Sequence, residues 1–290
     1  MFHSALVCTD FSDGLDRLTG CIANLVQGGL SRIVFFHSVP LWTEGNIPRI
    51  DKEKVAAAQA HLSKALTQVP AGADVKVEIV SGNALDNIPQ VLEQYQCDVI
   101  LVGTPIKNLI QEKMFGSTSL GLIKSLKKPI MILRPQIVST YTCEELALRC
   151  RHLWRYLLLP YNGSDEAKYL IEQVKTFAKN APQGAIANCF LLSVLDNSGI
   201  QRIQIEYLQK EAEEKLAKVK GELEALGLTV KTAVKIGNPL SETLDIAVKE
   251  DISAIAIASK PRNQLLELTV HSYASDLLHR SWFPTLFFPM

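Results

Sequence analysis

The stretch Val99-Ile100-Leu101-Val102-Gly103-Thr104, which runs on to Gly116-Ser117-Thr118-Ser119, decides how the rest of the chain reads. Four consecutive apolar residues between Asp98 and Gly103 have no polar alternation, as expected of a parallel strand covered on both faces. Gly103 lets the backbone leave that strand sharply. Gly116 and Ser117 then open a helix, with Leu120, Ile123 and Leu126 at helical spacing. A hydroxyl N-cap behind a glycine aims backbone N–H groups out of the helix start, which is where a phosphate or another anion binds. Serine is also a common cap with no ligand, so this element alone leaves both readings open.

Upstream, Ser4 to Thr9 forms a short apolar run that ends in Asp10-Phe11-Ser12-Asp13-Gly14, a first strand and its exit loop. Leu15 to Val26 carries a helical apolar face. Ile33 to Phe36 is a second strand leading into His37-Ser38-Val39-Pro40, followed by a loop with Gly45 and Pro48. Val55 to Val69 is Ala-rich and helical, and Val75 to Val80 is a third strand. Gly82-Asn83 caps a helix containing Ile88, Val91 and Leu92. Downstream of Val99–Val102, Ile130 to Leu133 is a fifth strand between Pro129 and Pro135. Strands alternating with helices require crossover connections, which predicts an α/β fold around a parallel sheet.

The pattern then returns. Leu157-Leu158-Leu159-Pro160 is a first strand with Tyr161-Asn162-Gly163-Ser164 as its exit, and Ala187 to Val194 holds a second. A long helix follows, with Leu208, Ala212, Leu216, Val219, Leu223 and Leu226 on one face, stopped by Gly227. Its other face carries the pairs Glu211–Lys215 and Glu214–Lys218 at favourable i,i+4 spacing, a solvated surface. Leu228 to Ile236, Ala254 to Ile257 and Thr285 to Phe288 complete the set, with Gly237-Asn238-Pro239 starting a helix. Ser38-Val39 and Ser193-Val194, Gly82-Asn83 and Gly237-Asn238, Ser117 and Ser272, and Pro129 and Pro284 are each separated by 155 positions, whereas Ser12 and Ser164 are 152 apart. This is an internal duplication with a small insertion, giving domains at 1–138 and 152–290.

Lys+Arg and Asp+Glu balance at 30 each in 290 residues, so no bulk attraction to nucleic acid or anionic membrane is expected. No apolar run approaches the roughly 18 residues a membrane helix needs. The start Met-Phe-His-Ser-Ala-Leu has no basic, then apolar, leader pattern. The six cysteines form no CxxC pair, which fits reduced thiols in a cytoplasmic protein.

A strand ending in Thr9-Asp10-Phe11-Ser12, a mid-domain Gly82-Asn83, and most of a Gly-x2-Gly-x9-Gly-Ser pattern from Gly103 to Ser117 resemble the universal stress protein family, in a tandem form covering nearly the whole chain. The resemblance implies two Rossmann-like domains, each a five-stranded parallel sheet with helices on both faces. It implies ATP or another adenine nucleotide at the carboxyl ends of the strands, as open α/β sheets generally bind ligands. Carried over, Asp10, with Thr9 beside it, matches the acidic residue near adenine and ribose, and Val39 the residue whose backbone meets the adenine edge. Gly103 matches the glycine against ribose and phosphates; Gly116, Ser117 and Thr118 match the phosphate holders. Ile106 stands where the pattern has its middle glycine, so a β-branched side chain meets the distal phosphates. In the second half Asn162, Ala258, Pro261 and His271 replace the matching residues and only Ser272 survives, which makes that half a partner domain. The family's lone domains pair through the fifth strand, so the resemblance implies that the two halves form an intrachain pseudo-dimer; whether two chains associate as a homodimer is not fixed by these residues.

Catalytic patterns are absent: no HExxH, GxSxG or GxxxxGK[ST] occurs, and the histidines form no ligand spacing. His37 reads as a packed loop histidine. The expectation is a stress-response regulatory protein binding ATP or AMP in its first domain, with unknown protein partners. The alternatives are slow ATP hydrolysis at the same site, with Asp10 and the Ser117–Thr118 hydroxyls around the phosphates, and an interaction protein that binds no nucleotide.

Overall fold

The apolar runs fold as strands, in two bodies, Phe2–Arg151 and His152–Met290. The computed structural model describes residues 2–44, 47–104, 121–123, 125–134, 142–180, 185–196, 202–260 and 273–290. The expected start of the helix at Gly116-Ser117, Ile106 and Ser272 lie outside the described residues.

In the first body, β1 (Ser4–Cys8), β2 (Arg32–Val39), β5 (Asp74–Ser81), β6 (Val99–Gly103) and β7 (Ile130–Leu133) form a parallel sheet in the order β7-β6-β1-β2-β5. Every residue of β1, β6 and β7 is buried, because parallel strands are covered by helices on both faces. Asp98 pins the sheet edge-on: its Oδ2 accepts from the N–H groups of His3 (2.9 Å) and Ser4 (3.0 Å). Two three-residue strands, β3 (Trp42–Glu44) and β4 (Ile47–Arg49), pair antiparallel where a plain loop is expected.

The helices are α1 (Ile22–Gln27), α2 (Lys52–Leu62), α3 (Ala84–Gln94) and α4 (Cys143–Arg151). Two 3-10 segments, Leu15–Cys21 and Ser63–Leu66, precede α1 and follow α2, where a single helix each is expected. Asn83 caps α3, accepting from Leu85 N–H at 3.0 Å, behind Gly82 at φ 124. Helix α4 falls between the two expected domains, 1–138 and 152–290, and it belongs to the first body. It buries Leu146 and Cys150, with the Cys150 thiol beside that of Cys21. The backbone carbonyls of Cys150 and Arg151 come so near Gly28 that a Cβ there would sit at 3.1 and 3.0 Å from them.

The second body repeats the sheet as β12-β11-β8-β9-β10, all parallel, from β8 (Tyr156–Pro160), β9 (Asn188–Leu195), β10 (Thr229–Ile236), β11 (Ala254–Ser259) and β12 (Thr285–Pro289). Its helices are α5 (Asp165–Asn180), α6 (Arg202–Glu224), α7 (Pro239–Lys249) and α8 (Tyr273–Arg280). The sequence reading passes over α5, although Ala167, Leu170, Ile171 and Val174 are its buried stripe. Asn238 caps α7, accepting from Leu240 and Ser241 N–H at 3.1 Å each, behind Gly237 at φ 150. Helix α6 forms the expected Glu211–Lys215 pair at 2.7 Å. No ion pair joins Glu214 to Lys218 among the described residues.

Equivalent bonds fix the register of the repeat. Ile100 N–H donates to Pro129 C=O (3.0 Å) and Ile255 N–H to Pro284 C=O (2.9 Å), a separation of 155. Gly82 N–H donates to Val39 C=O at 2.8 Å, but Gly237 N–H donates to Leu195 C=O at 3.0 Å. The second strands are therefore offset by 156, and the Ser193-Val194 match to Ser38-Val39 is a one-residue coincidence: Val39 corresponds to Leu195. Among the described residues no helix is long and apolar enough to cross a membrane, and all six cysteines are free thiols.

Candidate functional site

In the first sheet the strand order reverses direction between β1 and β6, and there the two carboxyl ends leave a crevice, where α/β sheets bind ligands. Cys8 pairs with Phe36 on one side and with Val102 on the other, which sets Thr9, His37 and Gly103 at one level. The structure thus places four of the expected residues, Thr9, Asp10, Val39 and Gly103, at the carboxyl ends of three neighbouring strands. Gly116, Ser117 and Thr118 lie outside the described residues.

The exit loop of β1 is tightly wired. Asp10 is exposed, and its Oδ1 accepts from Ser12 N–H (2.8 Å) and Ser12 Oγ–H (2.6 Å), an Asx turn. Between them Phe11 takes φ 64, a conformation that L side chains rarely adopt, at the position that Gly163 (φ 80) fills in the second body. The Phe11 ring lies 4.3 Å from that of His37 and 4.9 Å from that of His61. His37 Nδ1 bonds Thr9 C=O at 2.8 Å, so this nitrogen carries the proton and the ring braces the loop.

Asp13 is the residue that the sequence reading missed. It is 5% exposed, and its Oδ1 accepts from Thr9 Oγ1–H (2.8 Å) and Leu15 N–H (2.9 Å). Burial pushes its carboxyl up to about 6, with Asp10 and Asp16 adding to the rise, while the hydrogen bonds from Leu15 and Thr9 oppose it. Its side chain packs on Gly103. A Cβ at 103 would lie 2.4 Å from Asp13 Cβ and 2.7 Å from its Cγ and Oδ2. Gly103 is therefore required by the protein's own packing, independently of any ligand, and the space beside it holds a carboxylate.

Two more features border this end of the sheet. Val39 is buried, and its carbonyl already accepts from Gly82. Arg134, just past β7, is 2% exposed, and burial holds its guanidinium down to about 10. Its place after the Ile130–Leu133 run was visible in the sequence, since a charge at the end of a buried strand is uncommon. Among the described residues no cluster of histidine, cysteine or carboxylate side chains could hold a metal.

The corresponding end of the second sheet differs. Asn162 Oδ1 accepts from Ser164 N–H (3.0 Å), so the turn is kept with an amide in place of the acid. Asp165, at the position of Asp13, turns outward: its side chain is 71% exposed and lies 3.6 Å from Lys260. Ala167 stands where the first body has the fully buried Leu15. With the carboxylate turned away and a methyl replacing an isobutyl group, the crevice stays open. A cavity of about 190 Å³ lies there, walled by Leu170, Leu192, Val194, Ile257 and Ala258, with Tyr273 and Thr243 at its polar side.

Twofold use of a parallel five-stranded sheet joined by crossover helices defines a tandem α/β protein. The chain belongs to the universal stress protein family, which it matches at residues 1–134 and again at 154–289. It is 25% identical over 156 residues to a universal stress protein of Methanocaldococcus jannaschii, covering 46% of this chain and 94% of that one. In structure it is similar to a universal stress protein from Archaeoglobus fulgidus, at 17% identity and a TM-score of 0.69, over 98% of this chain and 97% of the other. A Pseudomonas aeruginosa protein matches at 14% identity and a TM-score of 0.62, over 99% and 93%. These structural likenesses establish the fold.

Proposed function

We propose that this protein is a cytoplasmic stress-response regulator that binds an adenine nucleotide, ATP or AMP, in its first body. The observation that carries the reading is the convergence of Thr9, Asp10, Val39 and Gly103 on the switch point of β1 and β6. In this reading Asp10 meets the ribose and the Val39 backbone the adenine edge, as the family resemblance implies, and Gly116, Ser117 and Thr118 hold the phosphates. The residues fit the group in part. The exposed Asp10 and the strand ends suit a nucleoside, whereas Asp13 fills the notch beside Gly103 with a carboxyl that is charged at neutral pH. A ligand with few phosphates suits such a notch better than ATP does.

The filled notch favours a second reading, an interaction protein with no nucleotide. Thermal-shift titration with ATP, ADP and AMP separates the two. Binding to the folded form alone adds RT ln(1 + [L]/Kd), about 2.7 kcal/mol at a hundredfold excess over Kd. The first reading expects a saturable rise in Tm that Asp10→Ala diminishes; no rise with any of the three nucleotides would sink it. Accumulation of ADP from ATP over hours would instead point to slow hydrolysis at the same site.

A further inference from the structure

The cavity of the second body has little that a phosphate would use. Among the described residues no lysine or arginine lines it; the carboxylate in its lining is Glu166, in the first turn of α5 next to Asp165, and Lys260 Nζ lies 3.8 Å from Glu166 Oε1. The starts of α7 and α5 beside it are occupied: Pro239 has no N–H, Asn238 Oδ1 accepts from Leu240 and Ser241, and Ser164 Oγ accepts from Ala167 N–H at 3.2 Å. The two carboxylates at the start of α5, offset in part by Lys260 at 3.6 and 3.8 Å, oppose an anion at a terminus that would otherwise attract one.

Its polar side has a fixed order of hydrogen bonds. Thr243, fully buried, donates its one hydroxyl proton to Pro239 C=O at 2.7 Å. The 2.9 Å contact between Thr243 Oγ1 and Tyr273 Oη must then be donated by tyrosine. Burial pushes the Tyr273 phenol well above its ordinary value, so the proton stays in place at neutral pH. Among the described residues no donor reaches the remaining lone pairs of Tyr273 Oη, and the cavity therefore presents an acceptor in an apolar wall.

We propose that this cavity binds a small uncharged molecule about the size of one ring, apolar over most of its surface and carrying one O–H or N–H that donates to Tyr273 Oη. At about 190 Å³ the space is of the order of the ~150 Å³ apolar cavity that accepts benzene, and below the roughly 300–1,000 Å³ typical of drug-sized ligands. A site of this chemistry is independent of nucleotide binding in the first body.

Phenol, benzene and AMP serve as probes of the full chain, followed by the amide resonances of Val194, Ala258 and Ala274. Phenol and benzene shift these resonances saturably, with Kd on the order of a millimolar, and AMP does not. Tyr273→Phe weakens phenol about fivefold and leaves benzene unchanged, as loss of one neutral hydrogen bond implies. Val194→Phe fills the space and abolishes both. The proposal is overturned if neither probe shifts these amides, if AMP displaces phenol from them, or if Tyr273→Phe leaves phenol binding untouched. Should Val194→Phe fail to fold, the phenol-to-benzene ratio in Tyr273→Phe decides alone.

Discussion

Asp13 and Gly103 form a coupled pair, and two measurements expose it. Gly103→Ala would force a methyl to within 2.4 Å of Asp13 Cβ, so we expect a loss of about 1–3 kcal/mol in denaturant unfolding. Asp13→Gly in the same chain, which removes the Cβ as well as the carboxylate, should recover much of that loss, a coupling readable from the four-variant cycle. The second measurement is a pH series. Asp13 has a folded pKa of about 6 against an unfolded value of about 3.8, so the native state binds the extra proton between these values. Its contribution is therefore fully present below about pH 4 and is lost as pH rises through about 6, a swing of up to about 3 kcal/mol. Asp13→Asn keeps an acceptor for Leu15 and Thr9 but has no charge to bury. The wild-type stability should fall relative to this variant across that interval and run parallel to it above about pH 7; parallel curves throughout would refute the assignment. None of this was legible in the sequence, where Asp13 is one of three aspartates within seven residues and only its inward direction sets it apart. Asp10, Val39 and Gly103 were legible because strand ends follow from apolar runs.

At the scale of elements, the two Gly-Asn caps are the clearest case of sequence dictating structure. Each asparagine satisfies orphan amides at its helix start, one for Asn83 and two for Asn238. Asn83→Ala and Asn238→Ala should each cost about 1 kcal/mol, the second at least as much as the first, by urea unfolding. Helix α5 was equally legible from its apolar stripe. Helix α4 was less so, because only Leu146 and Cys150 are buried along nine residues, and two apolar positions make a weak period. The hairpin β3–β4 gave no signal at all: Ile47, Pro48 and Arg49 are all exposed, so no face alternates. The repeat of Ser-Val at 155 positions misled for a related reason, since a dipeptide carries no register until its hydrogen bonds are seen.

At the scale of the whole molecule, the two copies of the sheet were readable from periodicity, whereas the attachment of α4 was not. The first body runs to Arg151 because α4 docks on the segment around Cys21 and Gly28. A fragment ending at Arg151 should therefore be more stable than one ending at residue 138, by about 2 kcal/mol for the buried Leu146 alone, measured by thermal or urea unfolding of the two fragments. Equal stability would mean that α4 contributes nothing. The copies also differ in which substitutions are open to them. Where the aspartate points inward, as at Asp13, a methyl at the neighbouring glycine is closed until that aspartate has gone. Where it points outward, as at Asp165, the same step is free, and Ala258 stands at the position of Gly103. The direction of one carboxylate therefore fixes the order in which mutations can accumulate in each half, and drift after duplication follows different paths in the two.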